Sequence, residues 1–295
     1  MPLPDKIAAL PCWTGPPVGE LLTGGLSNEI WKVTDDAGAH VVRMGRDYPF
    51  HHVLRSRELM TTRAAHAAGF APAVHYAEPG IMVTAFITSR TLTAADIRAD
   101  PIRIAHLLHD FHHRMPEQVS GPAFLFWVFH VIRDYARTLT AGNSNHITAL
   151  PGYLALSKAL EATQPPLPVI FSHNDLLPAN FLDDGQRLWL IDYEYAGFST
   201  AMFDLAGAAS NAGMDADESN ALLTTYFSIK PDATLVKAFD AMQCASLLRE
   251  AMWGMVSALY LNVTGVDYDA YAKENIDRMD ILVDRFQTRY GRLST

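Results

Sequence analysis

Residues 21–33, LLTGGLSNEIWKV, set paired glycines and a Ser-Asn step ahead of alternating apolar positions, which predicts a strand, a turn and a second strand. HVVRMG (40–45) supplies the next strand, and IMVTAFI (81–87) is an apolar strand running into Thr-Ser-Arg-Thr. Between them, VLRSRELMTTRAAHAAGFAP (53–72) has helical period and ends at Gly69, before Pro72. RIAHLLHDFHHRM (103–115) is a second helix, with Ile104, Leu107, Leu108 and Phe111 on its packed face and His112 partly buried. QCASLLREAMWGMVSALYL (243–261) is an apolar helix. Across residues 115–165 no signal fixes the helix boundaries.

The densest chemistry lies in VIFSHNDLLPANFLDDGQRLWLIDYEYAG (169–197). An apolar strand, Val169 to Phe171, leads into a polar loop, and a Gly-containing turn joins it to a second strand, Arg187 to Ile191, that ends on Asp192. Read as a hairpin, this gathers polar groups at one end. The spacing of His173, Asp175, Asn180 and Asp192 suits phosphoryl transfer from ATP, in which the protein positions a hydroxyl, holds Mg²⁺ on the phosphates and neutralises charge. Asp175 is the candidate base for the attacking hydroxyl. Asn180 and Asp192 offer the hard oxygen donors that Mg²⁺ accepts, and His173 braces the loop. Asn174, Asp183 and Asp184 read as ordinary turn residues. Upstream, Gly24 and Gly25 permit close approach to phosphates, and Ser27 and Asn28 supply small donors; a plain hairpin turn is the alternative.

The His-x-Asp-x4-Asn pattern followed by IDYEYAG resembles the choline/ethanolamine kinase branch of the aminoglycoside phosphotransferase-like kinases. The resemblance implies an α+β, two-lobed protein-kinase-like fold: a small sheet-rich nucleotide lobe, residues 1–88, and a larger, mainly helical catalytic and acceptor lobe, residues 89–295, with ATP between them. It implies that Arg43 holds the α- and β-phosphates and pairs with Glu58, the alternative for Glu58 being a solvated charge on a helix face. It puts the hinge where the 81–87 strand runs into Thr-Ser-Arg-Thr, with main-chain groups near Ala85 to Ile87 facing adenine. AMFDLAGAASNAG (201–213) resembles the family's next helix, in which Asp204 braces the catalytic loop.

The 243–261 helix matches the family's acceptor-pocket helix. Glu250 and Trp253 lie one turn apart and can face one site, with Tyr195 completing an aromatic box for a cationic amine; a purely structural Trp253 is the competing reading. The chain departs from choline kinases in having Asn211 where a carboxylate is common and Leu177 where Gln is frequent, and both departures bear on the acceptor.

Composition adds limits. A net charge of −9 argues against nucleic acid as a partner and mildly favours small cationic molecules. Two cysteines, Cys12 and Cys244, indicate no disulfide framework and suit a reducing cytoplasm. MPLPDKIAALPCW does not read as a signal peptide, and the apolar stretch Ala251–Leu261 is too short to span a bilayer. His106, His109, His112 and His113 share a helix, yet no HExxH or Cys-rich partner accompanies them, so zinc is not expected. The expected activity is ATP- and Mg²⁺-dependent phosphorylation of choline, ethanolamine or a related amino-alcohol. The alternatives are an aminoglycoside, thiamine or another small alcohol as acceptor, or a non-catalytic nucleotide-binding protein of the same fold.

Overall fold

A computed structural model describes residues 2–22, 28–122 and 124–293. After a short helix α1 (Asp5–Ala8), five antiparallel strands form one sheet in the order β1-β2-β3-β5-β4. They are β1 (Val18–Leu22), β2 (Glu29–Asp35), β3 (Gly38–Met44), β4 (Val74–Glu78) and β5 (Ile81–Ala85), with helix α2 (Arg55–Ala67) inserted between β3 and β4. Alternation sets the buried face: Trp31 and Val33 on β2, Val42 on β3, and Ile81 and Val83 on β5 pack with Ile7 and Leu10 in one small core. Gly38, at φ +135°, turns β2 into β3, and Gly80, at φ +81°, turns β4 into β5. The regular pairing of β5 ends at Ala85, two residues short of the predicted strand.

The rest is mainly helical. Two-residue β6 (Arg90–Thr91) precedes α3 (Ala94–Ala99), α4 (Pro101–Gln118), α5 (Val128–Ala141) and α6 (Leu150–Glu161). Four short strands follow: β7 (Val169–Ser172), β8 (Phe181–Asp183), β9 (Leu188–Leu190) and β10 (Gly197–Thr200). The chain closes with α7 (Ala201–Ala212), α8 (Ala216–Phe227), α9 (Ala233–Tyr260) and α10 (Tyr268–Tyr290). The hairpin expected between Val169–Phe171 and Arg187–Ile191 does not form. β9 pairs with β8, Phe181 opposite Leu190, and β7 pairs with β10, Phe171 opposite Phe198. The local Asp184-Gly185 turn, with Gly185 at φ +85°, closes β8 on β9 across a shorter loop than the predicted partner needs.

Helix α9 is the axis of the larger core. From Ala238 to Ser257 it is buried on nearly every side, packed by α5, α6, α7 and α10, so it has no polar face. Helix α2 sends Ala64 and Ala65 into this larger core and not into the core beneath the sheet. Among the described residues no helix is long and apolar enough to cross a membrane.

The packing of α10 against α9 depends on Gly254 of α9. A Cβ there would lie 3.1 Å from the Cβ and N of Ala272 and from the carbonyl oxygen of Tyr268, so α10 leaves no room for a side chain. Gly254→Val is expected to destabilise the fold by about 2 kcal/mol through overpacking. Urea unfolding checks this, and an unchanged midpoint would show that α10 yields freely.

Candidate active site

Strand β7 ends at the buried Ser172, and the buried His173 and Asn174 follow where the chain turns away from the sheet. The turn is held from α7: Asp204 accepts the backbone N–H groups of His173 (2.8 Å) and Asn174 (2.7 Å) and the Nε2–H of His112 (2.9 Å). Tyr226 donates its hydroxyl to His112 Nδ1 at 2.7 Å, so His112 is fully buried and satisfied, further than the partial burial its sequence position suggests. Asn174 is more than the local turn residue expected. It stands at φ +64° and its Nδ2 donates to the carbonyl of Tyr195 (3.1 Å), tying the loop to the segment after Asp192. His173 completes the tie, with Nε2 donating to the carbonyl of Ile191 at 2.9 Å.

A single 3₁₀ turn, Pro178–Asn180, brings Asn180 back beside Asp175. Asn180 Nδ2 donates to the Asp175 carbonyl at 2.8 Å, and the Asn180 carbonyl accepts the N–H of Ile191 at 3.1 Å. With its amide nitrogen so engaged, the Asn180 side chain has its oxygen left to meet a cation. Asp192 follows at φ +69°, a left-handed conformation uncommon outside glycine. Asp175, Asn180 and Asp192, widely separated in the pattern read above, therefore share one end of the cleft.

Arg43 of β3 reaches into the same place. It is ion-paired with Glu58 of α2, lies 3.0 Å from Asp192 Oδ1, and donates to Glu194 at 2.7 Å. Burial alone would lower its pKa, but Asp192, Glu58 and Glu194 hold the guanidinium above its ordinary value. Arg55, three residues before Glu58, joins Glu58 (2.6 Å), Glu194 (3.0 Å) and the Asn28 side-chain oxygen (2.7 Å). Glu194 and Arg55 were not singled out from sequence, although the one glutamate of IDYEYAG and the Arg-x-x-Glu spacing of Arg55 and Glu58 were available signals. Gly24, Gly25 and Ser27 lie outside the described residues; Asn28, just before β2, is held by Arg55 as stated and donates to Glu194 at 3.4 Å.

A cavity of about 530 Å³ runs from the sheet to helix α9. Its apolar end is formed by Ile30, Val41, Met82, Phe86 and Ile87, beside Ala85. The Ala85 and Phe86 N–H groups are donated within the protein, to the carbonyls of Ala73 (2.9 Å) and Ala39 (3.1 Å), and Ser89 Oγ donates to the Ile87 carbonyl at 3.1 Å. The other end holds Asp175, Arg249, Glu250, Trp253, Tyr195 and Tyr271. Trp253 Nε1 donates to the Tyr195 hydroxyl at 2.8 Å, and the Tyr271 hydroxyl donates to Glu250 Oε2 at 2.9 Å. Arg249 is ion-paired with Glu250, stands 4.0 Å from Asp175 Oδ1, and lies over the Tyr195 ring at 4.4 Å.

Behind Trp253, His51 stacks at 5.1 Å and 21°, its nitrogens meeting Ser257 Oγ (2.9 Å) and the Tyr135 hydroxyl (3.2 Å). Burial holds His51 well below its ordinary pKa, so the stacked ring is neutral at pH 7. Burial pushes the Asp175 carboxyl well above the usual carboxylate range, an effect that Arg249 opposes and that Glu250, Asp192 and Glu194 reinforce. Asn211, the departure noted above, donates to the Leu176 carbonyl at 3.2 Å, and Leu177 lines the cavity. Arg249 and Tyr271 line the cavity and His51 backs Trp253; the sequence reading gave none of the three a role in the pocket.

Asp204 gives a pH-dependent expectation. Burial would raise its pKa, but His112, His173 and the backbone amides hold it below the ordinary aspartate value. A lowered folded-state pKa contributes stability that is present above the unfolded value, about pH 4, and is lost as pH falls through the folded one. Asp204→Asn is expected to cost about 3 kcal/mol at neutral pH, with the gap from wild type narrowing on acidification. Urea titrations at neutral pH and at successively lower pH read both effects; a gap independent of pH would overturn the assignment.

The family model described as choline/ethanolamine kinase matches residues 20–229 of this chain. A probable ethanolamine kinase of Arabidopsis thaliana is 29% identical over 305 aligned positions, spanning 86% of this chain and 79% of the relative. Among solved structures, a choline/ethanolamine kinase family protein from Mesorhizobium loti superposes with a TM-score of 0.75 at 27% identity, covering 95% of this chain and 92% of the other. The choline kinase LicA of Streptococcus pneumoniae shares the fold, with a TM-score of 0.70 at 19% identity over 89% of this chain and 94% of its own. LicA has also been solved with AMP.

Proposed function

Because this chain belongs to the choline/ethanolamine kinase family, matched over residues 20–229, we propose that it transfers the γ-phosphoryl group of ATP, with Mg²⁺, to the hydroxyl of a small amino-alcohol of the choline or ethanolamine type. Membership makes it a phosphotransferase with an alcohol acceptor, and the non-catalytic reading is set aside. The observation that carries the finer reading is the convergence of Asp175, Asn180 and Asp192 at one end of a cleft whose other end is apolar.

Each residue then has a task. Asp175 accepts a hydrogen bond from the acceptor hydroxyl and takes its proton as the new O–P bond forms. His173 and Asp204 hold that loop in place without touching the reacting atoms. Asn180 Oδ1 and the Asp192 carboxylate are hard oxygen donors of the type Mg²⁺ accepts, and they would hold it. When bound, the metal supplies charge stabilisation on the phosphate oxygens.

In this reading Arg43, positioned by Glu58, meets the α- and β-phosphates, Asn28 and the glycine loop cover them, and adenine occupies the apolar end beside Ala85 and Ile87. The boundary between the two lobes is placed near residue 88. Tyr195, Glu250 and Trp253 form the acceptor pocket. Glu250 is the acceptor-end carboxylate besides the base, which suits one amine better than the several of an aminoglycoside.

Asp175→Asn is expected to lower turnover about a thousandfold while ATP still binds, and Asp192→Ala to lose Mg²⁺-dependent turnover. A coupled ADP-release assay against choline, ethanolamine, thiamine and an aminoglycoside, with ATP binding followed separately, checks both. Near-wild-type turnover in either variant would reject its assigned role.

A further inference from the structure

The acceptor end of the cleft already contains a cation. Arg249 is 1% exposed, and its guanidinium sits 4.4 Å over the ring of Tyr195 while paired with Glu250. Those are the aromatic face and the carboxylate that an acceptor's ammonium would otherwise use. Nε and Nη2 of Arg249 are buried with no hydrogen-bond partner, so part of the guanidinium's desolvation is offset only by charge and by the π-face. A neighbouring aromatic is likewise engaged, since Trp253 carries His51 stacked at 5.1 Å.

A quaternary ammonium has no N–H and is recognised by open aromatic faces surrounding it. Here the Tyr195 face is taken. A primary ammonium has three donors and needs acceptors instead. Besides Asp175, which faces the acceptor hydroxyl, this end offers Glu250 Oε2, to which the Tyr271 hydroxyl donates, and the Tyr195 hydroxyl oxygen, which accepts one bond from Trp253 Nε1.

We propose that Arg249 is the specificity-determining residue of the acceptor pocket: its guanidinium is a tethered occupant of the seat between Tyr195 and Glu250, so the pocket takes a primary amino-alcohol and turns away a trimethylated one. The inference rests on the amino-alcohol reading above for its substrates. It differs from that reading in assigning the choice between them to a residue of the protein that mimics the excluded ligand.

Two measurements test it. The first is kcat/KM for ethanolamine and for choline, with Mg·ATP, in wild type, Arg249→Ala and Arg249→Lys. Wild type favours ethanolamine; Arg249→Ala raises the choline-to-ethanolamine ratio at least about tenfold; Arg249→Lys, which keeps a cation on a flexible stem, stays near wild type. The ratio is unaffected by a rate loss common to both alcohols. The second is calorimetric titration with tetramethylammonium, which needs no turnover. The alanine variant binds it and the wild type does not. A wild-type preference for choline, or an unchanged ratio together with no gain in tetramethylammonium binding, overturns the proposal. Should Arg249→Ala leave Glu250 unpaired and fail to fold, Arg249→Ala combined with Glu250→Gln removes both charges and takes its place in the titration. Wild-type protein that releases no ADP with either alcohol speaks against the amino-alcohol reading alone, and the titration still decides the role of Arg249.

Discussion

Arg43 is a buried cation held by carboxylates from separate parts of the chain, and the cleft takes its shape from that arrangement. Glu58 comes from α2, while Asp192 and Glu194 come from the segment after β9, so one guanidinium fastens the sheet, its inserted helix and the far side of the cleft together. Removing one member of such a cluster leaves an uncompensated buried charge, at a cost of about 3 to 5 kcal/mol. The cluster is therefore a geometric constraint before it is a chemical one. Arg55 extends it to Asn28, the residue before β2.

A second hub performs the corresponding task for the loop after β7. Asp204 accepts two consecutive backbone N–H groups, a local geometry that forces the chain to turn between His173 and Asn174. The turn aims Asp175 into the cavity. His173 and Asn174 then reach across to the carbonyls of Ile191 and Tyr195, so the positions of Asp175 and of Asp192 are not independent. Asp192 is kept at φ +69° between residues that are both pinned through their neighbours. Local strain of that kind, about 1 to 3 kcal/mol, persists only where surrounding contacts over-determine it.

Much of this was legible in the sequence because it is written in short-range pattern. Alternation marked β2, short apolar runs marked β3 and β5, helical period marked α2 and α4, and the segment holding Asp175, Asn180 and Asp192, read as one polar cluster, lines one cleft. Strand pairing was not legible. β7 could be recognised as a strand, but its partner is β10 and not β9, a choice made by loop closure and by contacts with the helical core. α5 and α6 were missed as bounded helices, and neither has a side-chain N-cap hydrogen bond to mark its start. Asn174 was misjudged for a different reason: Asx residues suit turns locally, and nothing in one sequence reveals a bond to a carbonyl at position 195.

Arg249 shows the limit most sharply. On a helix, adjacent residues point about 100° apart, so sequence rules pair Glu250 with Trp253 and give Arg249 a different face. The rule presumes that a charged side chain has solvent available on that face. α9 has none over this stretch, because α5, α6, α7 and α10 enclose it, and a guanidinium there must find compensation inside the protein. The carboxylates within reach are Glu250 beside it and Asp175 at 4.0 Å, and the open π-face is that of Tyr195. Burial of the helix, decided by packing far from the cleft, is thus what bends an adjacent pair together and places a cation of the protein's own where an aromatic residue and an acid alone would have suggested an empty seat.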